Sequence, residues 1–312
     1  MNASFPCRRE FLAAAASLPT AIHAAGLAAA AGPPKAATAF QIACMTLPYS
    51  AFPLQRALSG IRQAGYDFVA WGTTHREAPN AQSTPVLSAD APPAKAKELA
   101  MSCRDLGLQP VMMFSGVYPE HRDGLEILTQ RLKQASAAGI AQVLTFGHTK
   151  GGNHALWLER FKKLGPIARD LGVLLVVKQH GGETGTGEAC AKIVREVNDA
   201  GVRVNYDAGN VMDYLDVDPI ADIRRCADVV RSFCIKDHRN WPKDEDCGPG
   251  LGEIDHFRLL HPVSRTGLVM PLCCENIAAP LLPRPLQPEG VDALARRARE
   301  FLETVIAGLR TL

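Results

Sequence analysis

The 312-residue sequence has almost no excess of charge, with 34 Lys and Arg against 32 Asp and Glu and a formal net charge of +2. Proteins that bind nucleic acid usually present a basic face to neutralise phosphates, so this balance argues against that partner. Nine cysteines are present, but no CxxC occurs among them, which removes the usual zinc and redox signatures. Adjacent Cys273 and Cys274 cannot readily pair, because successive strand side chains point to opposite faces. Most of the cysteines therefore read as small buried apolar residues. An oxidising compartment would permit disulfides, but none can be assigned. No Gly-rich turn follows the first apolar strand, which continues as CMTLPYSAF, and this disfavours a doubly wound dinucleotide-binding sheet. With 47% hydrophobic and 21% charged residues, the composition is that of a globular chain, neither disordered nor membrane-spanning.

The first 31 residues form a separate object. Arg8 and Arg9 are followed at once by Phe11 and Leu12 and then by an apolar, Ala-rich run that ends in Ala29-Ala30-Ala31. The pattern resembles a twin-arginine signal, from which we expect export to the periplasm. Residues 32–38 read as a linker and 39–312 as the mature domain.

That domain carries an internal repeat. Six segments show a helical stretch, a glycine and then a short apolar run; the glycines are Gly65, Gly107, Gly139, Gly172, Gly201 and Gly267. A glycine after a helix accepts the left-handed backbone that ends it. Unbroken Val, Leu and Ile after it suit parallel strands buried on both faces. Two more strands, QIACM from Gln41 and RSFCIKD from Arg231, lack the glycine. The stretches between them show helical stripes, such as Leu54, Leu58 and Ile61, or Leu125, Leu128 and Leu132. Eight strands strictly alternating with eight helices place the chain in the α/β class as a (β/α)8 barrel.

Active sites of such barrels lie at the carboxyl ends of the strands. The later strand ends are rich in ionisable groups: Lys178 and His180 in VVKQHGG, Asp207 and Asn210 in NYDAGN, Cys234, Lys236, Asp237 and His238 in CIKDHRN, and Glu275 in CCEN. Buried charges need partners, so their convergence on one rim is more than solvation. By alternation, Lys178 shares a face with His180, Cys234 with Lys236, and Cys273 with Glu275.

These segments, together with the loop GPGLGEIDHF, resemble the motifs of the xylose isomerase-like TIM barrels, the sugar phosphate isomerase/epimerase superfamily. The resemblance runs from about Gln41 to Leu309 and is strongest over Val173–Ile277. In that family four strand ends offer Glu, Asp, His and Glu to a metal. Asp207 and Glu275 match, whereas Lys178 stands at the strand-5 Glu position and Cys234 at the strand-7 His position. The resemblance implies a divalent metal (Mn, Mg, Co or Zn) on Asp207, Glu275 and His180, with Cys234 as a substitute donor. The two departures leave a site without metal equally open.

The activity implied is isomerisation or epimerisation of a sugar or polyol by proton abstraction beside a carbonyl. A lyase or dehydratase on a keto-sugar or inosose and a non-catalytic carbohydrate-binding barrel are the alternatives. An endonuclease IV-like nuclease is excluded by charge and by missing ligands. Lys178 or Glu275 is the expected base, the lysine through a pKa lowered by burial, and Lys236 the electrophile. A bland alternative makes Lys178 a salt bridge that merely holds the rim. His180, Trp71, His148 and His238 are the candidate substrate contacts, and Asp237 either joins them or braces its loop. Backbone amides of Gly248–Gly252, before a helix capped by Asp255, offer an anion site, although no basic residue accompanies them. The partner is a small sugar or polyol, and self-association into a homo-oligomer is left open.

Overall fold

The computed structural model describes residues 36–311. The expected signal segment therefore lies outside the described residues, as does most of the linker. The last linker positions belong to the barrel instead. The Thr38 hydroxyl accepts from the Thr266 amide at 3.0 Å, and the Ala36 carbonyl accepts from the Gly267 amide at 2.9 Å.

Eight parallel strands close into a barrel. They are β1 (Ala39–Met45), β2 (Phe68–Trp71), β3 (Gln109–Phe114), β4 (Gln142–Thr145), β5 (Leu174–Lys178), β6 (Val202–Tyr206), β7 (Val230–Ile235) and β8 (Val269–Cys274). Each strand pairs with its sequence neighbours, and β8 returns to β1. Every strand edge is thereby satisfied.

The helices among the described residues are α1 (Leu54–Gln63), α2 (Pro93–Asp105), α3 (Gly124–Ala138), α4 (His154–Asp170), α5 (Gly187–Val197), α6 (Ala208–Leu215), α7 (Pro219–Cys226), α8 (His256–Leu260) and α9 (Pro288–Arg310). Strict one-to-one alternation holds except between β6 and β7, where two short helices share one crossover. Asp216, with φ of 51°, ends α6, and Pro219 begins α7 behind an Asp218 cap. Two antiparallel hairpins were also not foreseen: Thr74–Arg76 with Ser83–Pro85, and Asp237–Arg239 with Glu245–Cys247.

Alternation along the strands separates two apolar layers. Ala43, Met45, Ala70, Met112, Phe114, Leu144, Val176, Cys234 and Cys273 fill the barrel interior. Val69, Trp71, Val143, Leu175, Val177, Val204, Phe233 and Leu272 face outward, under the helices. The helical stripes meet them there, with Leu58, Ile61, Leu128 and Leu132 buried. All eight described cysteines are buried and unpaired, as small core residues.

Five of the six repeat glycines have positive φ, from 67° at Gly139 and Gly172 to 91° at Gly65. Gly201 does not. Asn198, with φ of 52°, supplies the left-handed turn after α5. Gly201 is required for a different reason, since a Cβ there would lie 2.1 Å from the Gly165 carbonyl oxygen in α4. Gly172 has open space around its Cβ position and only the positive φ to oppose a side chain. Alanine at Gly172 should therefore cost about 1–2 kcal/mol of left-handed strain. Gly201→Ala must displace α4 backbone and should lower the urea midpoint further than Gly172→Ala; equal midpoints would refute the close-packing argument.

Candidate active site

The strand phases fix which polar tips enter the mouth. Val176 points into the barrel, so Lys178, two residues on, does so at the rim. Asn205 and Asp207 share the inward phase of β6, Cys234 and Lys236 that of β7, and Cys273 and Glu275 that of β8. Lys178 is in register with Asn205, and Cys273 with Cys234, which brings the four tips to one level.

There they form a compact ionic cluster. The Lys178 ammonium lies 2.8 and 2.9 Å from the two Glu275 carboxylate oxygens and 3.0 Å from Asp207 Oδ2. Lys236 stands 3.8 Å from Asp207 Oδ2 and 3.8 Å from Glu275 Oε2, and it pairs with Asp246 at 2.8 Å. It also donates to Asn210 Oδ1. Side-chain exposure is 3% for Lys178, 0% for Asp207, 7% for Lys236 and 13% for Glu275. Of these four strand-end groups Glu275 offers the most surface to a ligand, and Asp246 beside it is 27% exposed.

Local structure holds these groups in place. Asp207 caps α6, its Oδ1 accepting from the Asn210 amide at 3.0 Å. The Asp207 amide donates to Gln179 Oε1, and Asn210 Nδ2 donates to the Gln179 carbonyl, which ties β5 to α6. Gly209 is small because the Lys236 stem lies against it, with Cγ and Cε 2.7 Å from where a Cβ would stand. The rings of Phe114 and Phe146 flank Lys178, 5.5 and 5.6 Å from Nζ, and add cation–π attraction.

Charge follows from this packing. Burial alone would lower the Lys178 pKa, but Glu275 and Asp207 outweigh it and hold the group well above its ordinary value. Lys178 is therefore a fixed cation. The expected lysine base, its pKa lowered by burial, is corrected by its two carboxylate partners. Burial would raise Glu275, yet Lys178 and Lys236 together bring it down to about 2. Asp207 moves the other way, to about 6, because it is fully enclosed and its burial outweighs the same two lysines. Its Oδ2 has both cations nearby but no hydrogen bond in good geometry. The ion-pair distance and the missing directed bond agree if the ammonium points its protons chiefly at Glu275.

One side of the mouth is aromatic. His180 stacks on Phe146 with ring centroids 4.4 Å apart and meets Tyr214 at 5.3 Å. His148 is exposed on the rim and lies 4.1 Å from the Tyr118 ring. His180 Nδ1 is 3.0 Å from the Gly147 carbonyl, which only accepts, so Nδ1 carries the proton and Nε2 the lone pair. Burial and the neighbouring Lys178 lower its pKa, keeping the ring neutral near pH 7. The other side opens into a cavity of about 840 Å³, continuous with solvent. Lys236, Asp246 and Glu275 form its polar wall, Phe52 and Leu294 part of its apolar wall, and exposed Arg284 lies at its edge.

Several expected contacts fall elsewhere. Trp71 points outward into the layer beneath the helices, while its neighbour Ala70 faces the interior, so it cannot stack on a bound sugar. His238 is buried in its hairpin, with Nδ1 3.2 Å from Asp246 and Nε2 3.1 Å from Asn240; it positions Asp246 rather than meeting substrate. His180 is in neither group of metal-type donors with ligand atoms within 4.8 Å of one another: Asp207, Cys234 and Glu275 at the strand ends, and Asp213, His238 and Asp244 beside the hairpin. Asp237 braces its loop, accepting from the amides of His238, Gly250 and Ile254 at 2.9, 2.9 and 3.0 Å. It thereby takes up the Gly250 amide, while the Gly248 and Leu251 amides donate to the Ala278 and Gly248 carbonyls, so three of the amides expected to bind an anion are already used. Asp246, Tyr118, Phe146, Tyr214 and Gln179 were missed. Tyr118, Phe146 and Tyr214 lie in loops or a helix beyond the strand ends, and Asp246 in a short hairpin strand, where no periodicity marks a face.

A family model for the xylose isomerase-like TIM barrel matches residues 58–304. The chain belongs to this family. The fold is shared with an L-ribulose 3-epimerase at 18% identity and a TM-score of 0.65, covering 87% of this chain and 96% of that one. It is shared with a xylose isomerase-like TIM barrel protein from Mycobacterium smegmatis in complex with magnesium, at 15% identity and a TM-score of 0.66, covering 88% and 97%. The IOLI protein with a binding zinc atom aligns with a TM-score of 0.68 at 15% identity, covering 86% and 99%. No curated protein matches the chain.

The family thus raises a divalent metal, and three donors here cluster as a metal site would. The donor set fits poorly while Lys178 is in place. An ion bound to both Asp207 and Glu275 would lie about 3 Å from an ammonium already 2.8–3.0 Å from their oxygens. At an effective dielectric of about 20 that repulsion is on the order of 10 kcal/mol. Cys234 offers little in return, because burial and then Glu275 hold its thiol protonated well above its ordinary value.

Removing the cation should be costly. Lys178→Met leaves two enclosed carboxylates facing each other, and we expect a loss of about 3–5 kcal/mol in chemical denaturation. Lys178→Met combined with Asp207→Asn and Glu275→Gln should recover most of it. Stability unchanged in the single variant would show that the cluster is not strongly coupled.

Proposed function

We propose that this barrel is a sugar or polyol isomerase or epimerase that moves a proton at a carbon beside a carbonyl. The observation that carries the reading is Glu275, the most exposed of the four strand-end groups, set between two enclosed lysines and facing the cavity. A carbonyl that gains negative charge as its neighbouring carbon loses a proton needs a fixed positive field. Lys236 lines the cavity and supplies that field from β7, with Asp246 and Asn210 keeping its ammonium in place. Glu275 is a weak base while both lysines hold it. When the developing oxyanion competes for Lys236, the carboxylate regains part of its basicity, with Lys178 still bound to it. Neutral His180, with its Nε2 lone pair open, is the second proton-handling group. Two such groups allow removal and return on different faces or at adjacent carbons.

The relatives with this fold that are named as sugar epimerases support the substrate class, and the aromatic rim of Tyr118, His148 and Tyr214 suits the apolar face of a sugar ring. The twin-arginine pattern supports an exported, periplasmic enzyme, which would meet unphosphorylated sugars.

The test is incubation in D2O with a panel of ketoses, aldoses and inososes, reading deuterium beside the carbonyl. Glu275→Gln and His180→Phe should each slow exchange by about 100-fold or more. Because the His180 pKa is lowered, its neutral form persists as pH falls. The acid limb of kcat/KM assigned to His180 should therefore lie below pH 6.5, and its loss in His180→Phe checks the assignment. Saturable binding without exchange across the panel would make the barrel a carbohydrate binder. An unsaturated product would make it a lyase.

A further inference from the structure

We propose that the Lys178 ammonium has taken the place of a divalent metal in this barrel, so that the site carries its own covalently attached cation. The inference concerns the mouth described above but is read through metal binding, so it stands or falls apart from the proposed turnover.

Three observations carry it. First, the ammonium occupies the point between the two acidic strand ends, touching Asp207 on β6 and Glu275 on β8 at 2.8–3.0 Å. A metal held by those two carboxylates would need the same space. Second, Lys178 has no alternative berth. It is 3% exposed, its ammonium is flanked by the Phe114 and Phe146 rings, and the neighbouring polar positions are filled by Lys236 and His180. Swinging it aside would strand a charge among aromatic rings without a counter-ion. Third, charge is already compensated. Lys178 and Lys236 face Asp207, Glu275 and Asp246, leaving a single negative charge. A site built for a dication would keep its excess of carboxylates unneutralised in the absence of the ion. Cys234, enclosed beside Glu275, then packs the barrel interior with Cys273 and does not act as a ligand.

A fixed ammonium differs from a metal in what it permits. It presents hydrogen-bond donors to oxygen but cannot expand its coordination or exchange with chelators. Activity, once found, should be indifferent to EDTA.

The experiment uses the full-length protein, purified without added metal. Elemental analysis should find well under one equivalent of Mn, Mg, Co or Zn, and titration with Mn2+ should leave the melting temperature unmoved. Lys178→Glu, alone and with Cys234→His, should then bind Mn2+ at least about tenfold more tightly than the unaltered chain and gain a Mn2+-dependent rise in melting temperature. A stoichiometric metal in the unaltered protein would overturn the proposal. So would a folded Lys178→Glu variant that binds Mn2+ no better than the parent. Should the variants fail to fold, the metal content and Mn2+ titration of the unaltered protein still decide.

Discussion

A single ammonium between two carboxylates organises the open end of this barrel. Lys178, Asp207 and Glu275 come from three different strands, and each is too enclosed to be stable alone. Their contact fixes the relative height of β5, β6 and β8 and aligns α6 through the Asp207 cap. Burying charge is costly unless it is paired, so the three residues depend on one another more than on their surroundings. The cluster therefore serves as structure and as electrostatic field at once. The field is fixed before substrate arrives, which is what stabilisation of a developing oxyanion requires.

A second tier of residues holds the first. Gln179 and Asn210 link β5 to α6, Asp246 restrains Lys236, and His238 restrains Asp246. Asp237 gathers the amides of His238, Gly250 and Ile254, tying the hairpin to the loop that precedes α8. The polar network opens toward solvent at Glu275, at Asp246 and at the cavity they line. The aromatic cluster of Phe146, His180 and Tyr214 lines the opposite side, and the Phe146 ring also flanks Lys178.

Much of this was legible in the sequence. Helix, glycine and apolar run recur because left-handed helix ends and doubly buried strands each leave a mark, and eight such units close a barrel. The polar tips at the ends of β5 to β8 stood out because charges after apolar runs need an explanation. The failures have physical causes. Trp71 sits in a strand buried on both faces, where hydrophobicity does not reveal phase, and its side chain turned outward. Gly201 followed the repeat but served close packing, and Asn198 supplied the turn. The sequence leaves Lys178 open between a base and a salt bridge that holds the rim, and its contacts with both carboxylates favour the second, reversing the pKa shift that burial alone would give. Asp246 reaches the mouth through the hairpin of Asp237–Arg239 with Glu245–Cys247, and the aromatic rim through α6 and the loops after the barrel strands, which local sequence does not encode. The residues before Ala36 lie outside the described structure, so the export expectation rests on sequence alone.

Lys178 is a permanent cation, and NMR of the 15N-labelled lysine side-chain amine, assigned by comparison with Lys178→Arg and followed through alkaline pH, puts this to the test. We predict that the Lys178 nitrogen keeps the chemical shift of an ammonium through pH 10.5, where an ordinary lysine is half titrated. A Lys178 signal that loses its proton near neutral pH would contradict the claim and return this residue to the role of a base.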